Sequence, residues 1–489
     1  MRHIAVLLAL ILGLSGTLRA QNESDVAFNA ALDDIYKLSF SSAQVHIREM
    51  TSENAEDWRI PYLKFQISFL KHFVDEDEAA FNDDRNHMED LIELVEDNGD
   101  KESPDFHLYL GEMNFQMAAI EAKFNHMWSA AGYGLDGISH LEDGQEEHPT
   151  YKPMFAGIGM LNVALGSIPD SYKSFATFLG YSGDMERGMR YLDRAIEASK
   201  SSEYEHLRAK HVFVYAYVKN ALQPGEIKTL KDFQVDPSQN ALLAFLEVKL
   251  LQSQGKNSEI IDVIEGVQAL PNRYDFPYLD YLLGRAKLAR GDDDANLILE
   301  RYVRKNKGNN YLKSTYRYLN WYYRLKGANS LAESYRHKVL EEGSDFVGAD
   351  KQALREMEAG DYDLKLIRAR LAYDAGELTK ALEYVPSGDV VRYDYAELIE
   401  FYYRRGRVFQ DLNQLSMAVQ SFQKAAAIQS TPLTFERVNA ELQLAYILED
   451  INANAAIRHY QNVLEFKDYP WYEGTQQKAK AGLSRLGAD

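Results

Sequence analysis

The sequence predicts an all-α chain, a right-handed α-solenoid of stacked antiparallel helical hairpins, and three observations carry that prediction. Proline is scarce, 12 in 489 residues, while runs rich in Ala, Leu, Glu and Lys prevail, which favours long helices. Gly255, Gly291 and Gly327 recur at a spacing of 36 residues, and Val267, Val303 and Val339 keep the same period. No strand-like alternation of useful length interrupts the pattern. The chain also exceeds the roughly 100–200 residues of an ordinary compact domain, which leaves several domains or a repeat array.

Taken in order, residues 1–20 read as an export signal. Arg2 and His3 precede an uncharged apolar run over 4–14, and Ala20 places a small residue before Gln21. The run falls short of the about 20 apolar residues that a membrane span needs. The mature chain is expected to begin at Gln21, with no lipid-bearing Cys and no integral span, in the periplasm of a Gram-negative bacterium or outside the cell. Residues 21–235 read as an irregular helical-repeat region. Helices are expected at 42–47, 62–73 and 106–128, with acidic loops at 75–84 and 96–102. Residues 153–169 then carry no charge. A lipid-contacting helix and a buried one both suit that composition; Asn162, Ser167 and three glycines favour burial through Gly157 and Gly159.

Residues 236–489 hold the regular array. Each linking Gly follows about four helical turns, as at 278–290, and precedes a second helix, as a tight helical hairpin requires. The fullest copy has Gly406, Phe409, Ala418, Phe422 and Ala425, where the small residues let two helices approach and the aromatics fill the space between hairpins. Further copies carry Leu283 with Gly284, Gly327 with Ala332, Gly376 with Ala381, and Ala456 with Tyr460. Units of about 34 residues with small residues at these sites resemble tetratricopeptide repeats, over roughly 240–486. Upstream, Gly157, Gly159, Leu161, Leu165, Ile168 and Pro169, followed by Phe178, Gly180, Tyr181, Ser182, Gly183, Asp184, Gly188 and Leu192, resemble a eukaryotic tetratricopeptide family that includes the mitochondrial outer-membrane inclusion-clearance protein. Met185 stands where that family usually has a basic residue. The likeness implies helical hairpins over most of the chain.

Composition excludes several functions. Lys plus Arg is 54 against 74 for Asp plus Glu, a net charge of −20, which argues against nucleic acid and other polyanions. Zero Cys removes thiol nucleophiles, cysteine metal sites and disulfides. Gly132, Gly134 and Gly137 satisfy G-x-G-x-x-G, but a helix ending near 131 precedes them where a dinucleotide site needs a strand, so they read as a helix terminus. Asp292, Asp293 and Asp294 invite calcium, yet Leu297 occupies the sixth loop position that should be Gly. His140 and His148 bracket Glu142, Asp143, Glu146 and Glu147 in an expected loop without zincin spacing. No catalytic set, metal or cofactor is expected.

One pattern points to binding. The residue six before each linking Gly is Lys249, Arg285, Trp321 and Arg370, and Arg407 holds that place before Asn413. If first helices line the concave surface, these five face it, and most of the aromatics around Tyr316, Tyr318, Tyr322 and Tyr323 pack between hairpins. The expected function is a non-enzymatic scaffold that takes a protein or peptide, with acidic groups gripped by the basic positions and an aromatic of the ligand stacked on Trp321. The alternative is a carrier or sensor of an apolar ligand built on residues 154–183.

Overall fold

The computed structural model describes residues 24–166, 183–223, 225–271, 273–360, 362–388 and 393–488. The export segment, and Ile168, Pro169, Phe178, Gly180, Tyr181 and Ser182, lie outside them. Of the described residues 77% are helical, and no strand occurs among them. Consecutive helices pack as antiparallel pairs, the arrangement of an α-solenoid.

Two units emerge. The first comprises the described residues through Gln254 with Glu259–Leu283 and Arg301–Asn309; the second comprises Gly255–Ser258, Gly284–Glu300 and the chain from Asn310 on. In the first unit Arg59–Asp75 pairs with Glu78–Asn98, Pro104–Lys123 with Met127–Glu147, and Phe155–Gly166 with Met185–Ala198. In the second, Leu312–Leu325 pairs with Asn329–Glu341, Leu364–Asp374 with Leu378–Tyr384, Tyr395–Asp411 with Leu415–Ala427, and Phe435–Leu448 with Ala453–Glu465.

The periodic glycines mark the turns within these pairs. Gly255, Gly291, Gly327 and Gly376 have φ of 68°, 93°, 74° and 77°, and Asn413, the non-glycine of the series, has 56°. This is the left-handed conformation that ends a helix, cheapest for Gly and next for Asn. Four of the turns repeat one bond in which the residue after the turn position donates its N–H five residues back: Asp292 to Lys287, Ala328 to Tyr323, Glu377 to Ala372 and Gln414 to Phe409, at 2.8–2.9 Å. A Schellman cap, repeated, is thus the physical content of the period. Between Gly327 and Gly376 the spacing grows to 49 residues. The excess is an additional helix, Gly348–Ala359, inserted between two hairpins.

Small residues set the closeness of the pairs. A Cβ at Gly406 would lie 2.5 Å from the Phe422 ring, and Ala418, Phe422 and Ala425 are fully buried together. In the first unit a Cβ at Gly159 would strike Leu192 and one at Gly188 would strike Gly159's carbonyl, so this helix pair crosses almost backbone to backbone.

Some sequence expectations fail locally. The helix expected over 106–128 breaks at Asn125, whose φ is 67°, and Met127–Glu147 is a separate helix. Gly132, Gly134, Gly137 and His140 therefore sit inside a helix, not at its end or in a loop. The acidic stretch 75–84 is helical from Glu78, with Asp77 as N-cap accepting from the Ala80 N–H. Val267 and Val339 are fully buried, but Val303 is only half-buried, and its neighbour Tyr302 fills the core.

Candidate functional site

The first helices of successive hairpins in the second unit carry a connected set of charged and aromatic side chains. It begins on Leu312–Leu325, where Tyr316, Tyr318 and Trp321 are buried and the Tyr318 ring stands edge-on to Trp321. The guanidinium of Arg317 lies 4.6 Å from the Tyr318 centroid and 4.8 Å from that of Trp321. Arg285 reaches Tyr318 from the preceding first helix at 5.4 Å, and Arg370 reaches Trp321 from the following one at 5.0 Å. Three cations thus surround one aromatic pair.

Their counter-charge comes from the inserted helix. Glu356 accepts from Arg317 at 2.9 Å and from Arg370 at 2.7 Å. Burial alone would raise its carboxyl, but the two guanidiniums outweigh that and hold it below the usual range. The same helix is anchored at its other end by Asp350, whose carboxylate accepts from the Tyr311 and Ser314 backbone N–H groups at the start of Leu312–Leu325. Burial against those bonds pushes Asp350 up to about 6. At Tyr318 burial works upward on the hydroxyl, yet Arg285, Arg317 and Arg370 bring it below its ordinary value. Among the described residues the Trp321 indole N–H and the Arg317 Nε–H find no acceptor.

The set continues along the next two first helices. Arg404 donates to Glu400 at 2.6 Å, and Arg407 lies 5.6 Å from the Tyr373 ring and donates to the Tyr403 hydroxyl at 3.3 Å. Asn439 ties Phe435–Leu448 to the same hydroxyl at 2.6 Å. Glu436, half-buried in the first turn of that helix, has no ion pair among the described residues. Burial, and then the neighbouring Glu400, push its carboxyl up to about 7.

Of the five positions expected to share a wall, Arg285, Trp321, Arg370 and Arg407 fall on successive first helices of this unit. Lys249 belongs to the first unit, half-buried on Ala241–Ser253. Trp321 corrects one expectation. It is 1% exposed, with Arg317, Arg370 and Tyr318 against its ring, so no free face is left for a ligand aromatic. Arg317 and Arg404 were not singled out in the sequence, although they lie four and three residues before the periodic position, one helical turn away on the same face. Glu356 had no periodic signal, because its helix lies outside the repeat.

The other candidates resolve into structure. Asp292, Asp293 and Asp294 pair with Arg290, Lys326 and Lys287. The apolar helix Phe155–Gly166 spends most of its side chains on packing, with Gly157 on Leu141 and Gly159 on Leu192, which does not favour the carrier alternative. No described helix is long and apolar enough to cross a membrane.

No protein-family model and no curated protein matches the chain. Among solved structures it is similar to the tetratricopeptide domain of P58(IPK), at 13% identity and a TM-score of 0.23, over 87% of this chain and 97% of that one. It is likewise similar to the APC/C hetero-tetramer Cut9–Hcn1, at 12% identity and a TM-score of 0.23, over 96% of this chain and 99% of that one. The hairpin assignment rests on the helix pairs and the turns themselves.

Proposed function

We propose that the chain is a non-enzymatic scaffold that holds another protein or peptide along the first-helix wall of the second unit, working after export as a mature protein beginning at Gln21. The observation that supports this most is the wall itself: charged and aromatic groups from successive hairpins, fixed in place by pairs that cross from one hairpin to the next. Groups held before binding lose little freedom on binding, so such a wall is suited to gripping an extended polypeptide. Arg285 and Arg407, both half-buried, supply guanidiniums at its surface, and acidic side chains or a terminal carboxylate are the groups they would grip.

The test is to crosslink the native exported protein, identify the captured partner, and titrate it against Arg285→Gln with Arg407→Gln. Arg370 is left intact because it holds Glu356. The double variant should weaken binding by about 2 kcal/mol or more if the charges are desolvated in the complex. A partner that binds this variant as it binds the unmodified protein, with the fold intact, would remove the wall from the proposal.

A further inference from the structure

The inserted helix Gly348–Ala359 lies on the wall as a bound helix would. Its buried residues are Asp350, Ala353, Glu356 and Met357, which at 3.6 residues per turn fall within about one-third of the helix circumference, with the carboxylates at the two edges. Asp350 accepts from the Tyr311 and Ser314 backbone N–H groups of one first helix, and Glu356 joins Arg317 of that helix to Arg370 of the next. Arg336 donates to the Met357 carbonyl at 3.0 Å. Gly348 and Arg355 lie on the opposite side, where Trp471 meets both. Its ring centroid is 5.4 Å from the Arg355 guanidinium, and a Cβ at Gly348 would lie 3.6 Å from the ring. Trp471 leads into Tyr472–Arg485, and Tyr395–Asp411 and Phe435–Leu448 come between in hairpin order. Repeats in a stack meet only their neighbours, so a helix touched from hairpins this far apart is laid on the wall rather than built into the stack.

Its hold on the wall is of a kind that exchanges. A helix kept for packing alone buries an apolar stripe, whereas half of this buried face is carboxylate. Stripping those carboxylates away would leave the arginines uncompensated, but replacing them by the carboxylates of another helix leaves each guanidinium paired. The helix also has a joint at either end. Gly343 and Gly360 have φ of 80° and 106°, and a Cβ at Gly360 would have nothing within 4 Å. Glycine takes such angles without strain, and a few residues of this kind absorb the rotation of a hinge. We infer that Gly348–Ala359 is a built-in occupant of the wall, displaced by a partner protein that presents a helix with the same face. That face has two carboxylates six residues apart, about 9 Å along the axis, flanking a seam of small and apolar side chains. This rests on the proposed scaffold reading and gives it a partner chemistry: the part of the ligand that meets Arg317 and Arg370 is helical, while Arg285 and Arg407, on the hairpins to either side, grip what leads into and out of it. A tethered occupant competes at an effective concentration of roughly millimolar, so a helix without those further contacts is held off.

Two measurements on the mature protein test this. In amide hydrogen exchange of the unmodified protein, residues 349–359 should exchange about tenfold or more faster than Leu312–Leu325 and Phe435–Leu448, because an occupant that leaves opens locally while the hairpins stay closed. Exchange as slow as in those two helices would make Gly348–Ala359 a fixed element and overturn the proposal. The second measurement adds a fluorescein-labelled peptide of residues 346–359 to Glu356→Gln, whose own helix no longer offers a carboxylate to Arg317 and Arg370. The peptide should bind this variant about tenfold or more tightly than it binds the unmodified protein, and should raise the variant's melting temperature. The same peptide carrying Asp350→Asn and Glu356→Gln should do neither. Equal binding of the two peptides, or no binding of either at the limit of solubility, would overturn the exchange of carboxylates. Should Glu356→Gln fail to fold, Asp350→Asn replaces it with the same expectations. Neither measurement touches Arg285 or Arg407, so the scaffold reading stands or falls separately, by the partner titration against Arg285→Gln with Arg407→Gln.

Discussion

At the scale of single residues, the glycines separate into those that the packing requires and those that it does not. Gly406 faces Phe422, a fully buried ring with no room to retreat, so Gly406→Ala should destabilise by about 1–3 kcal/mol through overpacking. Gly132 and Gly134 lie inside Met127–Glu147, and a methyl group added at either would have nothing within 4 Å, so either to Ala should stabilise by up to about 1 kcal/mol. Denaturant unfolding of the three variants checks both signs. Glu436 gives a prediction of pH dependence. Its folded value, about 7, lies above the ordinary 4.5, so the stability it contributes is full below about 4.5 and is lost as the pH rises through 7. Glu436→Gln should therefore melt higher than the unmodified protein at pH 8, by about 1–3 kcal/mol of stability, and at nearly the same temperature at pH 4. Equal melting at pH 8 would show that the carboxylate has a partner after all.

At the scale of elements, the helix Gly348–Ala359 has the largest effect on the wall. It enters between two regular hairpins and delivers two carboxylates, Asp350 to the start of Leu312–Leu325 and Glu356 to the Arg317 and Arg370 pair. Removing one member of such a buried set leaves uncompensated charge, so Glu356→Gln should cost about 3–5 kcal/mol, far more than a surface ion pair. Guanidinium chloride melts give the number, and a loss under about 1 kcal/mol would mean that water already reaches the two arginines. In the first unit, Phe155–Gly166 is held by Leu141 and Leu192 at Gly157 and Gly159. The mature protein should therefore not float with liposomes. Co-flotation that survives high salt and is abolished by Leu161→Asp would restore the apolar carrier.

At the scale of the whole molecule, hairpin follows hairpin and most of the described chain is helical. Far-ultraviolet circular dichroism should show a helix-dominated spectrum with no sheet contribution, well above the roughly one-third helix of an average globular protein. Export belongs to this scale too. Arg2, the apolar run over 4–14 and Ala20 lead us to expect an intact mass for the native protein that corresponds to a chain starting at Gln21. Recovery of the uncleaved chain from the cytoplasm of its own cell would end that proposal.

The sequence by itself determined the helical class, the turns and the tight contacts, because each is a local matter. A left-handed residue at the turn of a hairpin needs Gly, or Asn as at Asn413, and a close helix crossing needs a small residue such as Gly406 or Ala418. It also placed Arg285, Trp321, Arg370 and Arg407 on equivalent positions of their helices. Only the tertiary structure decided what those positions meet. Whether Trp321 is open to a ligand or enclosed depends on Arg317 and Arg370 arriving from separate helices, and the charge of the wall depends on Glu356, carried in by a helix that keeps no period. The field at a site is a sum over groups distant in sequence, so no spacing rule along the chain could have shown that Glu356 joins Arg317 to Arg370.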